Sequence, residues 1–481
     1  MISFNLIFFE RHQKIPKKNG KNFMAAQTPS HNTKAFHSMR DWIAYLEQTK
    51  RLVRAKKGVP LKYTLAAIAK QLDGDKAVLF PNPDHHLISV VSGIVSKRDW
   101  IAEAMGVSNN ILLEHFREAV LNPIPWKEIK KAPAQEIVIR KNIDINSMLP
   151  IPTHNEHDSG AYITAGLVIA RNPQSGEQNV SINRLQINGP DTLGILILPR
   201  DLNKFFEIAE HRDQSLPVSI SIGSDPMSLL ASQAILPLNA DELGVAGGLL
   251  KNPLDVVKCI TNDVRVPASS EIIIEGRLLP NVRESEGPFG EFPQYYGPAG
   301  KRQVIKIDTI THRENPIYHT IVPAAMEHLL LGAIPREASI LTALQRQFSN
   351  VIDVHLSRGG VCRYHLAVKV KKRLEGEQKN IIFGAFASHA DVKLVTIVDE
   401  DVDVHDPTAV EWAVATRFQA SSDTIIVAGA LGSKLDPSGK DGLVDKMGLD
   451  ATKPIESEPL RYTVVSIPGE EDETLIEQWV D

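Results

Sequence analysis

The chain has 481 residues, with 58 acidic and 53 basic side chains, a net charge of −5 and 43% hydrophobic residues, a composition that fits a globular protein of two or three domains. An acidic balance with no concentrated basic segment argues against polyanion binding, so no nucleic-acid partner is expected. The two cysteines, Cys259 and Cys362, stand far apart without metal-ligand spacing, which supports neither a disulfide framework nor a cysteine zinc site and fits a reducing, cytoplasmic setting.

No apolar run reaches the roughly 20 residues of a membrane span, and the opening MISFNLIFF is short and lacks a basic leader. Residues 1–38 mix lysine, proline, asparagine and serine with no sustained period; they are expected to be disordered, or a leader ahead of a start at Met24 or Met39. From Met39 an amphipathic helix begins, and helical stretches (Thr64–Leu72, Lys97–Met105) alternate with apolar runs (Ala77–Phe80, Leu87–Val91). This predicts a small α/β domain over residues 39–130. His85 and His86 lie beside Pro81 and Pro83 and read as a solvated turn.

Residues 131–335 change to β patterning, with predicted strands at Tyr162–Ala170, Leu193–Leu198, Pro217–Ile222, Glu271–Leu279 and Val304–Thr311. A barrel-like domain is expected, interrupted by helices at Leu202–Ala209 and Pro226–Ile235, the latter opened by Asp225 and a first-turn proline. Residues 336–481 open with a linking helix, Ala338–Gln347, and then alternate strand and helix, predicting an α/β domain with a mostly parallel sheet. Its acidic run Asp399–Asp403 reads as an exposed connection in preference to a cation site. The pair His154 and His157 has HxxH spacing but no third nitrogen or sulfur ligand nearby, so zinc is not expected.

Chemistry concentrates in Glu284–Gly297, the stretch ESEGPFGEFPQYYG. Two glycines and a proline between Glu286 and Glu291 predict a shaped loop in place of a regular element. Two carboxylates facing one cavity repel each other, so burial drives their proton affinities apart and leaves one able to donate. A solvated acidic turn fits the same residues. A second polar stretch, Asn179–Arg184 (NVSINR), reads as β-like and offers Arg184 as a partner for one glutamate.

Together these stretches resemble the UbiD family of decarboxylases, which use prenylated FMN. The resemblance runs from about Leu149 to Leu435 through PTHNEHDSGAYIT, NVSINR, DELGVAGGLL, VPASSEIIIEG, EGPFGEF and KLVTIVDEDVDV, in that order. It implies a multidomain α+β and α/β fold with a central split β-barrel that binds the flavin. It further implies that Arg184, Glu286 and Glu291 are catalytic, with Glu291 the proton donor and Glu286 holding Arg184. By the same resemblance Asn179 and Glu242 hold a divalent cation, Mn²⁺ or another, on the flavin phosphate, and Ser232 helps hold K⁺. Ser181, Ile182, Arg184, Arg200 and Lys393 complete the implied cofactor contacts. The family's usual histidine after the next strand is missing; Pro199-Arg200-Asp201 stands there, and Asp201 is the candidate replacement ligand. His328, Arg336 and Arg363 match segments that flank the cavity in relatives acting on furan or pyrrole acids, where cationic groups would bind an anionic substrate; an exposed or helix-capping Arg336 is the alternative.

The implied function is reversible, non-oxidative decarboxylation of a (hetero)aromatic or α,β-unsaturated acid such as a furan or pyrrole carboxylate. Its partners would be the small acid, CO₂ and a flavin prenyltransferase that supplies the cofactor, and the chain would form a homodimer or higher homo-oligomer. Two rival readings stay open: a 3-polyprenyl-4-hydroxybenzoate decarboxylase of ubiquinone synthesis, and a non-catalytic flavin carrier.

Overall fold

The computed structural model describes residues 35–480 except 239, 459, 471 and 473; the expected leader therefore lies outside the described residues but for its last four. Ser38 caps the first helix, Met39–Gln48, by accepting from the Asp41 N–H, and the helix buries Met39, Trp42, Ile43 and Leu46. It covers a four-stranded sheet in the order 52–54, 77–80, 89–92, 317–319. The last of these strands returns from far along the chain to pair in parallel with Ser89–Val91.

The middle of the chain forms a nine-stranded sheet in which every pairing is antiparallel. Its order is 162–163, 185–189, 192–195, 300–312, 272–286, 216–222, 167–171, 178–182, with 137–139 added to the side of 300–312. Among the described residues the two end strands do not pair with each other, so the sheet does not form a closed hydrogen-bonded ring. The predicted strand Tyr162–Ala170 is two strands, Tyr162–Ile163 and Leu167–Arg171. Ile272–Glu286 runs seven residues beyond the expected end at Leu279, because its partner Gly300–His312 continues alongside it past a bulge between Leu278 and Arg283.

The C-terminal sheet corrects the expectation of mostly parallel strands. Its order is 351–356, 365–370, 394–399, 443–451, 424–431; the two inner pairings are parallel and the two outer ones antiparallel. Crossover helices Glu377–Ser388 and Pro407–Arg417 enforce the parallel centre, while the edge strands connect without one.

A second correction concerns the linking helix. It spans Met326–Gln345, starts twelve residues before the predicted Ala338 and runs through Pro335. It buries 13 residues, and its Leu330, Ile334 and Ile340 join one core with Trp42, Leu243 and Ile397. The three regions thus share a continuous apolar interior around this helix, and Arg336 sits in mid-helix, not at a cap. The acidic run is neutralised within the fold: Arg417 donates to Asp399 at 2.7 Å and to Asp401 at 2.9 Å, and Lys453 reaches Asp401 at 2.9 Å. No helix of the described residues is long and apolar enough to cross a membrane.

Candidate active site

Register brings the two chemical stretches together. Leu185 pairs with Ile195, Ile195 with Gln303, and Gln303 with Arg283, so one row across four strands sets the residues flanking Leu185 beside the end of strand 272–286. Arg184 Nε and Nη2 bind Glu286 Oε1 and Oε2 at 2.9 and 2.8 Å, while Nη1 binds Glu291 Oε1 at 2.5 Å. One planar guanidinium serves both carboxylates, a geometry that a lysine ammonium cannot reproduce. Glu286 is fully buried and the other two side chains nearly so.

The expected loop is tighter than the sequence implies. Glu286 is the last residue of its strand, and after Gly287-Pro288 the pair Phe289–Gly290 bonds to Tyr296–Gly297 as a miniature ribbon. Phe289 is held between the Tyr162 ring, 4.2 Å away, and the Arg184 guanidinium at 5.4 Å. The loop 154–162 buttresses this ribbon: Asp158 accepts from Gly290 N at 2.8 Å, and Tyr162 Oη meets Glu286 Oε1 at 3.3 Å. Gln186 accepts from Gly287 N at 2.9 Å and from Tyr162 Oη at 2.8 Å. Sequence reasoning missed Asp158, Tyr162 and Gln186 as supports, since nothing in their local pattern separates them from ordinary loop and strand residues.

Burial raises the proton affinity of Glu291 above that of an ordinary carboxyl, against the opposing charge and hydrogen bond of Arg184 and with help from Glu286. Burial alone would lower that of Arg184, but the two glutamates outweigh it and hold the guanidinium firmly charged. The arrangement is a fixed cation, a carboxylate locked onto it, and a second carboxyl disposed to keep a proton.

A second cluster forms where strand Gln178–Ile182 meets helix Glu242–Leu250. Glu242 Oε1 accepts from Asn179 Nδ2 at 2.9 Å and Oε2 from Val180 N at 2.8 Å. Burial and the neighbouring charge of Asp241 push its carboxyl up to about 8, against these hydrogen bonds. Among the described residues no cationic side chain pairs with this buried carboxyl and no donor reaches the Asn179 amide oxygen, an oxygen-donor set that fits a hard cation. Among the described residues no three His, Cys, Asp or Glu side chains converge as a metal-holding group, so a cation here needs oxygen ligands beyond the protein's carboxylates.

The other expected contacts fall around this pair to different degrees. Ser232 follows helix Pro226–Ala231, which packs against the Glu242 helix, and its hydroxyl donates to Leu229 O at 2.7 Å. Ser181 donates to Asn183 Oδ1 at 2.8 Å, and Ile182 pairs with Leu167. Asp201 opens helix Asp201–Glu210 and faces Lys204 at 3.8 Å; no hydrogen bond joins it to Asn179 or Glu242. Arg200 caps that helix, exposed, and its charge acts on Arg336 and Arg363. Lys393 is committed inside the C-terminal region, to Asp436 at 2.8 Å and Ser438 at 2.6 Å. It pins the segment whose Leu435 side chain lies against Gly297 of the catalytic loop.

His328, Arg336 and Arg363 converge beside the catalytic ribbon. Arg336 Nη1 donates to Gly332 O at 2.6 Å, Arg363 Nη1 to Leu329 O at 3.0 Å, and the Arg363 guanidinium lies 5.4 Å from the ring of Phe292, the residue after Glu291. Arg363 is buried and Arg336 partly so; among the described residues neither guanidinium meets a carboxylate within hydrogen-bonding distance, and Asp391 is an acidic side chain whose charge acts on both. Burial, and for Arg336 the charge of Arg363, lowers their proton affinity, that of Arg363 to about 10. His328 corrects the expectation of a third cation: burial and the two arginines push it down to about 3. It is a neutral imidazole whose Nδ1 accepts from Ala324 N at 3.1 Å, which leaves Nε2–H as a donor.

Family models match residues 43–120, 127–326 and 329–451, described respectively as the N-terminal, Rift-related and C-terminal domains of 3-octaprenyl-4-hydroxybenzoate carboxy-lyase. An anhydromevalonate phosphate decarboxylase of Methanothermobacter thermautotrophicus is 39% identical over 400 residues, 83% of this chain and 93% of that protein. The UbiD-class enzyme HmfF from Pelotomaculum thermopropionicum, solved in complex with FMN, superposes with a TM-score of 0.90 at 50% identity over 92% of this chain and all of that one. An evolved dimeric form of HmfF in complex with prFMN gives 0.86 at 47% identity, again over 92% of this chain and all of that one.

Proposed function

Because the chain belongs to the UbiD family and is a decarboxylase of that class, we propose that it catalyses reversible, non-oxidative decarboxylation of a small unsaturated acid carrying a second anionic group, a furan or pyrrole carboxylate in the first instance. The observation that carries this reading is the adjacency of two features. The Arg184–Glu286–Glu291 set lies one residue from Phe292, and Phe292 packs under Arg363 of a cation pair to which, among the described residues, no carboxylate bonds, although the charge of Asp391 acts on both guanidiniums. Buried unpaired charge is costly unless a ligand compensates it.

Prenylated FMN, with a divalent cation at Asn179 and Glu242 and K⁺ near Ser232, is the cofactor this reading requires, and when bound it supplies the electron sink that an sp² carbanion needs. The chain's own residues do the rest. Arg184, locked by Glu286, orients the carboxylate that departs. Glu291 carries its proton to the carbon that loses CO₂, and takes it back in the carboxylation direction. Arg336, Arg363 and the Nε2–H of His328 bind the second anionic group and fix which end of the substrate faces Glu291. A flavin prenyltransferase must supply the cofactor.

A lipid-tailed hydroxybenzoate fits poorly, since its apolar chain would meet two guanidiniums; a mere carrier has no use for a proton-bearing Glu291. A phosphorylated α,β-unsaturated acid, as in the archaeal relative's name, is the second reading, because paired guanidiniums suit phosphate equally. Assembly as a homo-oligomer through the C-terminal sheet is supported by its edge strand Thr424–Leu431, which leaves Ile426 and Leu431 exposed.

The test is a substrate panel on cofactor-loaded protein: furan-2,5-dicarboxylate, 2-furoate and a phosphorylated unsaturated acid. The dianionic acids should be preferred, and Arg363→Ala should raise KM for them by about tenfold or more, the worth of a hydrogen-bonded charge. Equal kcat/KM for furan-2,5-dicarboxylate and 2-furoate in wild type, with neither altered by Arg363→Ala, would refute the second-anion reading. Glu242→Gln, which keeps shape and removes charge, should lower flavin and divalent-metal content together, measured by absorbance and elemental analysis on folded protein. Unchanged contents would remove Glu242 from the cofactor site.

A further inference from the structure

Two features of the backbone bring Arg363 against Arg336. Arg363 ends the turn Arg358–Arg363, in which Val361 (φ 51°) and Cys362 (φ 54°) are both left-handed, a conformation a β-branched residue adopts only under constraint. Gly360 makes the turn possible, since a Cβ there would lie 2.4 Å from His365 Cβ and 2.6 Å from His365 N. The base of the turn is clamped to the linking helix by Glu337, which accepts from Leu356 N at 2.8 Å and meets His355 Nδ1 at 2.9 Å. The strained turn therefore aims the Arg363 guanidinium at the helix backbone.

What receives it is the missing side chain of Gly332. A Cβ at that position would stand 1.7 Å from Arg363 Nη2, 2.4 Å from Arg363 Cζ and 2.8 Å from Arg336 Nη1. Glycine weakens a helix interior relative to alanine, so a glycine in the seventh position of a 20-residue helix needs a compensating use. We propose that Gly332 is a specificity-determining residue: its notch lets the guanidiniums of Arg336 and Arg363 converge on the second anionic group of the substrate, and any side chain there splits the pair and favours monoanionic acids. The proposal rests on the reading of that pair as the substrate's second anion site.

Because the clashing atoms are the far end of a flexible side chain, Gly332→Ala should move the guanidinium and leave the fold intact. On cofactor-loaded protein, Gly332→Ala should raise KM for furan-2,5-dicarboxylate by about tenfold or more, the worth of a charged hydrogen bond, with kcat little changed and 2-furoate kinetics within about twofold. In an Arg363→Lys background, which lacks Nη2, Gly332→Ala should have a much smaller effect on that KM. An unchanged dicarboxylate KM, an equal loss with both acids, or the same loss in both backgrounds would overturn the proposal. If Arg363→Ala alters dicarboxylate binding and Gly332→Ala does not, only the role of Gly332 fails. If wild type shows no preference and Arg363→Ala changes nothing, the second-anion reading fails and takes the proposal with it.

Discussion

Glu291→Gln is expected to reduce turnover by about 10²–10⁴-fold, the contribution of a positioned acid or base, with folding, flavin content and substrate KM near wild type. Glutamine keeps the oxygen that accepts from Arg184 Nη1 at 2.5 Å and removes only the transferable proton. Burial is the largest influence on the Glu291 carboxyl and acts to keep that proton on it, so the loss should be chemical and not structural. Glu286→Gln should differ in kind: it weakens the doubly bonded clamp on Arg184, and binding should suffer along with rate. Turnover of Glu291→Gln above about a tenth of wild type, well short of the expected loss, would mean that the proton comes from water or another side chain.

Arg184→Ala is expected to be the most destabilising single change in the site. It leaves Glu286 fully buried without its cation, and removing one partner of a buried ion pair costs about 3–5 kcal/mol. Loss of activity should be complete in practice, since the same guanidinium orients substrate and tethers Glu291. The measurement is the first thermal transition of the apo protein, compared among wild type, Arg184→Ala and the double variant Arg184→Ala/Glu286→Gln. The double variant should recover part of the loss, because neutral glutamine in that position costs less than an orphaned carboxylate. A double variant less stable than Arg184→Ala would mean that Glu286 is stabilised by something other than the arginine.

Much of the site was legible before the fold because its residues lie in two short stretches with their own chemistry. Arg184 follows a β-patterned run, Glu286 and Glu291 bracket glycines and a proline, and a salt bridge between them needs only that the two stretches meet. Glu242 was placed by family pattern, and its contact with Asn179 is a long-range pairing of a strand with a helix N-terminus. What stayed illegible depends on context far along the chain. The helix of Arg336 passes through Pro335, a residue that ordinarily ends one, and packing of 13 buried residues overrides that signal. Neutral His328 follows from burial beside two arginines, one of them 35 positions away. The acidic run 399–403 reads as an exposed connection, and its ion pairs emerge only when Arg417 and Lys453 arrive from later segments. The parallel centre of the C-terminal sheet was readable from strand–helix alternation, and its antiparallel edges were not.

The account's central claim, that this chain decarboxylates a small unsaturated acid through prenylated FMN with a protein-held proton, is tested most directly in D₂O. The chain would be produced with and without a flavin prenyltransferase and given furan-2,5-dicarboxylate, following CO₂ release and deuterium at the vacated ring carbon. The account predicts CO₂ loss with one deuterium per turnover from protein made with the prenyltransferase, and no turnover from protein carrying only FMN. Equal activity with plain FMN, or inactivity of the fully loaded protein toward every acid of the panel, would contradict it.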